Sequence, residues 1–182
     1  MKPLNNFSLL DCSYYLLFDS AKSEANINRA VHQNKLYQSL YKGRSEEDLA
    51  DVAPYLFSFE FKSNFSNWYL ENGWGNSWGV FVQSQCDFEQ VYTHFRKFLL
   101  VKTENGQELY FRFYDPRVLK IFLPTCDKKQ IIEFFGPVES FIVEGDTKEE
   151  AILFEHENGI LRQKVLQASS IFGTISPQVA VE

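Results

Sequence analysis

Three histidines and three cysteines are the side chains of this sequence best suited to metal or covalent chemistry. They are widely spaced, no Cys-x-x-Cys pair occurs, and no histidine stands at metal-ligand spacing from another histidine or a cysteine. His156 has a glutamate on either side, but on a strand those carboxylates point to the opposite face. A structural zinc site needs a closed set of ligands. We therefore expect no bound metal and no cofactor.

One pair of residues could form a nucleophile and its base. Cys86 and His94 flank a predicted helix start, where the helix dipole would lower the pKa of the thiol. No third residue to orient the histidine and no oxyanion loop can be named, and the glycine motifs of phosphate-binding and hydrolase sites are missing. Buried cysteines are commoner than catalytic ones. The sequence therefore predicts a protein that is not an enzyme.

The most informative polar residues stand in a block of arginines, aromatics and aspartate at 110–117. Arg112 lies in the middle of a predicted strand, so we expect it to be largely buried and paired with a carboxylate, because breaking a buried pair costs about 3–5 kcal/mol. Asp115 is the nearest carboxylate in sequence, but Asp115 before Pro116 is also the order of a helix N-cap and first helical residue. Arg112 could thus join an internal ion pair, or Arg112 and Arg117 could mark a recognition groove.

Seven residues are consequently candidates for binding a partner or for fixing the fold. They belong either to the helix that starts after Asp87 or to the block at 110–117, where alternation along a strand would leave two tyrosines exposed beside Arg112. Arginine and tyrosine are enriched in the hot spots of protein interfaces. The candidates are His94, Arg96, Tyr110, Arg112, Tyr114, Asp115 and Arg117.

Short strands and short helices must position these residues. Hairpin turns with Asn-Gly and helix starts with Asp or Ser as N-cap separate the apolar segments. Strands joined by hairpins, with helices between others, favour an α+β fold with a mixed or antiparallel sheet over a doubly wound parallel sheet. We predict strands over 14–18, 55–61, 80–84, 108–114, 138–144, 151–157 and 160–166, and helices over 27–41 (or a strand from 36), 45–52, 63–71, 88–99, 116–123 and 127–135.

Length and charge narrow the class of protein further. The chain has 182 residues, enough for one domain, and a net charge of −6 without a basic run, which argues against a nucleic-acid partner. No apolar run is long enough to span a membrane, and the start lacks a clean signal peptide, so we expect a cytoplasmic protein with no membrane partner. Aromatic residues, 16% of the chain, predict either a bulky core or an aromatic-lined groove.

The end of the sequence differs from the rest in composition. After Leu166 the residues become small and polar, and Gly173 and Pro177 interrupt any regular element. We therefore predict a single domain over residues 1–166 and a loosely ordered C-terminal tail over 167–182.

Three motifs along the chain, and shorter segments around them, match one known pattern. The motifs are His94-Phe95-Arg96-Lys97-Phe98-Leu99, Asn105-Gly106 and Phe111-Arg112-Phe113-Tyr114-Asp115-Pro116-Arg117-Val118-Leu119, and the shorter segments are 16–19, 53–56 and 134–137. With these motifs the segment 94–119 resembles the adaptor family of bacterial type VI secretion, which was long catalogued as a domain of unknown function. The resemblance covers about residues 14–143.

The resemblance implies a cytosolic adaptor or chaperone that binds a toxic effector and helps load it onto the VgrG spike protein, with no catalysis and no cofactor. The motif does not say whether the arginine and aspartate block contacts a partner or holds the fold. An immunity protein that neutralises a toxin fits the composition equally well, and an uncharacterised enzyme is a third, less favoured class. An immunity protein would block the active site of its toxin, whereas an adaptor would bind elsewhere and leave the activity intact.

Overall fold

The structure, a computed structural model, describes residues 12–22, 27–43, 49–102 and 105–173. Nine strands lie within these ranges. In chain order they are β1 (Ser13–Asp19), β2 (Tyr37–Ser39), β3 (Pro54–Ser58), β4 (Gly79–Ser84), β5 (Leu100–Lys102), β6 (Glu108–Tyr110), β7 (Ser140–Glu144), β8 (Glu150–Glu157) and β9 (Ile160–Gln167).

Six α-helices lie within the same ranges, together with two short 3₁₀ turns at Ala50–Val52 and Leu123–Thr125. Each of the three central helices begins at an aspartate whose side chain accepts a backbone N–H of the first turn, as the N-cap signals predict. The helices are α1 (Ile27–Gln33), α2 (Asn64–Asn72), α3 (Phe88–Arg96), α4 (Pro116–Phe122), α5 (Lys128–Phe135) and α6 (Ala168–Phe172).

Seven of the strands form one sheet in the order β2-β3-β1-β4-β7-β8-β9, and every neighbouring pair is antiparallel. β5 and β6 form a separate hairpin. The predicted α+β fold with an antiparallel sheet is therefore confirmed. β1 is an interior strand between β3 and β4, and its residues from Tyr15 to Asp19 are all buried because helices cover both faces of the sheet.

Aromatic side chains fill both layers between sheet and helices. On one face Phe57 stacks on Phe65 of α2, with ring centroids 4.9 Å apart. On the other face Phe141 packs against Phe95 of α3 at 6.0 Å and against Phe134 of α5 at 5.3 Å. The core interpretation of the aromatic content is thus correct for most of these residues.

Two predicted elements are shorter than expected. The apolar stripe predicted a helix to residue 99, but α3 ends at Arg96. The predicted strand over 108–114 ends at Tyr110, because β6 pairs only with the three-residue β5 and the backbone then turns, with the Asp115 N–H donating to the Arg112 carbonyl at 3.0 Å. That turn directs both Phe113 and Tyr114 into the core. The prediction of an exposed Tyr114 is therefore wrong.

The remaining differences lie near the ends of elements. The stretch 27–41 contains a helix and then the strand β2, which is the second of the two alternatives. Residues 45–48 of the helix predicted over 45–52 lie outside the described residues. In the C-terminal part, residues 167–172 are regular rather than loose: β9 runs through Gln167, and the Phe172 ring of α6 lies 4.9 Å from the ring of Phe81. Residues 174–182 of the predicted tail are outside the described range.

Candidate functional site

An ion pair between Asp19 and Arg112 lies at the centre of the candidate site. Asp19 ends β1 and is fully buried, and its Oδ2 accepts a hydrogen bond from Nη2 of Arg112 at 2.5 Å. The Arg112 side chain is 42% exposed. Asp19 Oδ1 has no hydrogen-bond partner among the described residues. The predicted carboxylate partner is thus confirmed, but Arg112 is half-exposed where we expected it to be buried.

Asp115 does not pair with Arg112, because its carboxylate caps a helix and forms an ion pair with Arg117. Its Oδ1 accepts from the backbone N–H of Arg117 at 3.0 Å, which caps α4 as predicted. The Arg117 guanidinium then binds the same carboxylate through two donors, Nε to Oδ1 at 2.9 Å and Nη2 to Oδ2 at 2.6 Å. Asp115 is buried, whereas the Arg117 side chain is 55% exposed.

The pKa values of the two buried carboxylates shift in opposite directions overall. Burial raises the pKa of Asp19, and the hydrogen bond and charge of Arg112 only partly offset it. Burial also acts to raise the pKa of Asp115, but hydrogen bonds from the Arg117 side chain and backbone outweigh it and lower that pKa overall. Burial acts to lower the pKa of Arg112, yet Asp19 raises it overall. The folded protein therefore stabilises the ionised form of Asp19 less than that of Asp115.

Replacing Asp115 by alanine is expected to lower the free energy of unfolding by about 0.5–2 kcal/mol, because α4 loses its N-cap acceptor. Urea denaturation at neutral pH measures this loss. Asp115→Asn is the matched control, since its amide oxygen can still accept the backbone N–H of Arg117, and it should retain most of the stability. Equal stability of the alanine variant and the native chain would contradict the capping role.

Three tyrosines surround the ion pair. The Tyr114 ring is buried, with the Arg112 guanidinium 6.0 Å from its centroid. Burial raises the pKa of the Tyr114 hydroxyl far above its usual range, and the nearby Tyr41 and Asp19 raise it further. Tyr110 is 51% exposed and its ring lies 5.3 Å from that of Tyr41. Tyr114 is thus buried at the ion pair, whereas Tyr110 is exposed at the surface.

His94 lies apart from this cluster and connects two helices. Its ring is buried, and Nε2 is 2.8 Å from the carbonyl oxygen of Phe134 in α5. Because a carbonyl can only accept, Nε2 carries the proton and donates. Cys86 precedes the start of α3, and the six helical steps from Phe88 to His94 put about 9 Å of helix between that start and His94. The postulated nucleophile and base are therefore out of hydrogen-bond reach.

Acidification is expected to destabilise the protein through His94. Burial lowers the pKa of this imidazole from its ordinary 6.5, so the unfolded chain binds more protons than the folded chain below that pH. The contribution of His94 to stability is complete above the unfolded pKa and is lost as the pH falls through the folded pKa. Thermal midpoints measured from about pH 8 to about pH 5 should fall more steeply for the native chain than for His94→Gln.

The matched control for this measurement is His32→Gln, because His32 is an exposed histidine in α1. Its thermal midpoints should follow those of the native chain across the same pH range. An identical pH dependence in the native chain and in His94→Gln would show that His94 does not titrate differently on folding.

Among the described residues, Arg96 contacts a backbone carbonyl and an aromatic ring instead of a carboxylate. Its Nε donates to the carbonyl of Leu40 at 3.2 Å, and its guanidinium lies 5.8 Å from the centroid of the Tyr92 ring. The Lys42 ammonium lies over the same ring at 5.9 Å. Arg96 therefore joins α3 to the segment after β2, and leaves two cations around one tyrosine.

Sequence reasoning missed Asp19 and Tyr41 as members of the site. One signal for Asp19 was present, since an aspartate directly after the apolar run 14–18 would be buried at the end of a central strand and would need a cation. No comparable signal existed for Tyr41. It reaches the site because the short β2 strand pairs with β3 and brings the following residues towards Tyr110.

Glu144 at the end of β7 holds the tryptophan- and glycine-rich loop after α2. Its carboxylate accepts from the backbone N–H of Gly75 at 2.8 Å, and from the backbone N–H and hydroxyl of Ser77 at 3.1 and 2.7 Å. The indole of Trp74 donates to the Lys148 carbonyl at 2.8 Å. All of these contacts are internal to the chain, so they give this loop a structural role.

An open apolar pocket of about 320 Å³ lies beside the β5–β6 hairpin. Aromatic side chains dominate its lining, and one glutamine and one glutamate supply its polar groups. Apolar pockets of this kind accept apolar side chains. The lining residues are Phe98, Val101, Phe111, Phe122, Gln130, Glu133 and Phe134.

The described residues contain neither of two further kinds of site, a metal cluster or a membrane-spanning helix. No group of three or more histidine, cysteine, aspartate or glutamate side chains there is placed to hold a metal ion. Across the same ranges, no helix combines the length and apolar character needed to cross a membrane.

The chain matches the model of a protein family, described as Domain of unknown function (DUF4123), over residues 14–133, which is more than half of its length. It therefore belongs to this family, which is generally associated with the effectors of type VI secretion. The matched range includes Asp19, Arg112, Asp115 and Arg117. No curated protein and no solved structure matches the chain.

Proposed function

We propose that this protein is a cytoplasmic adaptor without catalytic activity, which binds a toxic effector and helps load it onto the VgrG spike protein of a type VI secretion system. The observation that carries the proposal is membership of a family associated with type VI effectors. The block at 111–119, on which the resemblance to adaptors rests, lies inside the matched range.

The arrangement of the site supports a binding role more than a catalytic one. His94 and Asp115 are buried and have structural partners, namely the Phe134 carbonyl and the start of α4. Leu109 and Tyr110 are exposed side chains on the β5–β6 hairpin, and Val101 of the same hairpin lines the apolar pocket. Exposed aromatic and apolar groups next to arginines are typical of protein interfaces.

Co-purification tests this proposal. The chain should be co-expressed with candidate effectors and VgrG proteins from the same genome, and we expect a stable complex that contains the chain and an effector. Fragments of that effector then locate the binding segment. For an adaptor the binding segment lies outside the toxic domain, and the effector retains its activity in the complex.

Three results would contradict the proposal. Failure to bind either an effector or VgrG would remove its basis. Binding to the catalytic domain of a toxin with loss of toxin activity would identify an immunity protein instead. Turnover of a substrate by the purified chain at a defined rate would identify an enzyme.

A further inference from the structure

The charges of the ion-pair cluster are separated between inside and outside. Asp19 and Asp115 are buried, whereas the side chains of Arg112 and Arg117 are 42% and 55% exposed. Each carboxylate holds its guanidinium in place by hydrogen bonds and leaves other N–H groups of the arginine facing solvent. The surface at this point therefore shows donors and positive charge, although the pairs are neutral as a whole.

A second pair of cations continues the same surface. Lys42 and Arg96 lie over the ring of Tyr92. Neither is engaged in an ion pair among the described residues. With the two arginines of the cluster they make four cations against two buried carboxylates, within a chain whose net charge is −6. We name Lys42, Arg96, Arg112 and Arg117 the cationic patch.

Tyr41 and Tyr110 join the two halves of the cationic patch. Tyr41 lies between Leu40, whose carbonyl binds Arg96, and Lys42, and its ring contacts that of Tyr110. Burial raises the pKa of Tyr41, and the nearby Arg112 partly offsets this, as expected for a cation close to the phenol. The exposed ring of Tyr110 thus contacts the tyrosine that stands between the two pairs of cations.

We propose that the cationic patch and Tyr110 bind an acidic segment of a protein partner, in which carboxylates meet the guanidinium groups and an apolar side chain packs on the tyrosine. This rests on the proposed function and names the surface and the chemistry of recognition. Arginine suits such a partner because its planar N–H groups match a carboxylate. Arginines already held by buried carboxylates also lose less conformational freedom on binding.

The charge balance of the chain favours a short acidic peptide over a nucleic acid. The four cations of the patch can meet a few carboxylates. A longer polyanion would extend beyond the patch onto a protein with a net charge of −6, which repels it. The occupant is therefore a local segment with a few Asp or Glu residues around an apolar anchor.

Fluorescence anisotropy with a short labelled peptide of alternating glutamate and leucine tests the patch. The test variant is Lys42→Gln/Arg117→Gln. The matched control is Lys164→Gln/Arg162→Gln, which removes one lysine and one arginine from the exposed surface of β9, where they pair with Glu155 and Glu157. Removal of two exposed cations from the patch should weaken peptide binding by about fivefold, and the control should leave it unchanged. Thermal unfolding verifies that both variants fold.

Further probes separate the possible occupants. Binding of the acidic peptide should weaken with increasing salt, and a peptide with lysine in place of glutamate should not bind. The proposal is overturned if the acidic peptide does not bind, if the test variant binds as tightly as the control, or if a single-stranded oligonucleotide or an anionic vesicle binds more tightly than the peptide. If an effector co-purifies equally with both variants, the patch is not its binding surface and this proposal is overturned, while the proposed adaptor function would stand.

Discussion

Replacement of Gly136 by alanine is expected to lower the free energy of unfolding by about 2–6 kcal/mol, the largest effect that we predict for a single methyl group. Gly136 follows α5 with φ +50° and ψ −110°, a conformation that costs an L-residue about 1–3 kcal/mol. An added Cβ would also overlap the imidazole of His94, and overpacking of this kind adds about 1–3 kcal/mol. Urea denaturation of the two proteins measures the difference.

Gly106→Ala is the matched control for this prediction. Gly106 also has a positive φ, +78°, but a Cβ there meets nothing within 4 Å, so only the backbone cost of about 1 kcal/mol applies. The double variant with His94→Ala should lose less stability than the sum of the two single changes, because the overlap is then absent. Equal losses at Gly136 and Gly106 would show that contact with His94 is unimportant.

Replacement of Arg112 by alanine is expected to cost about 2–3 kcal/mol, because it leaves the Asp19 carboxylate buried and without its cation. Breaking a fully buried pair costs about 3–5 kcal/mol. The value here is lower because the Arg112 side chain is 42% exposed, so water screens part of the interaction. Chemical denaturation at neutral pH should show the loss as a lower midpoint.

The double variant Asp19→Asn/Arg112→Ala should regain part of this stability, because the buried charge is removed together with its partner. Arg162→Ala serves as the control, since its ion pair with Glu157 is exposed on both sides and should contribute less than about 1 kcal/mol. An Arg112→Ala variant that keeps its stability but no longer binds an effector would make Arg112 a contact residue only.

Features that depend on a few neighbouring residues were predictable from the sequence. Asp87 with Gln90 and Asp115 with Pro116 start helices, and Asn158-Gly159 connects the final hairpin, as expected. A cap or a tight turn is satisfied by backbone groups two to three residues away, so its signal is local. The α+β class follows from the order of such local signals.

Predictions about burial were less successful, because burial depends on what packs against a residue. Strand alternation at 108–114 indicated an exposed Tyr114, but β5 offers only three residues for pairing, and the chain turns after Tyr110. Tyr114 and Phe113 then enter the layer between sheet and helices. Alternation predicts a face only where a partner strand continues alongside.

The sequence by itself therefore determined the fold class, the helix starts, the turns and the family resemblance of the block at 110–117. Only the tertiary structure decided which carboxylate Arg112 meets. Asp115 is three residues away, yet the partner is Asp19, 93 residues distant in the chain. The N-cap of α4 and the two hydrogen bonds from Arg117 occupy Asp115, whereas Asp19, buried at the end of the interior strand β1, has no other cation among the described residues. A buried charge requires a partner, but the sheet determines which one lies within reach.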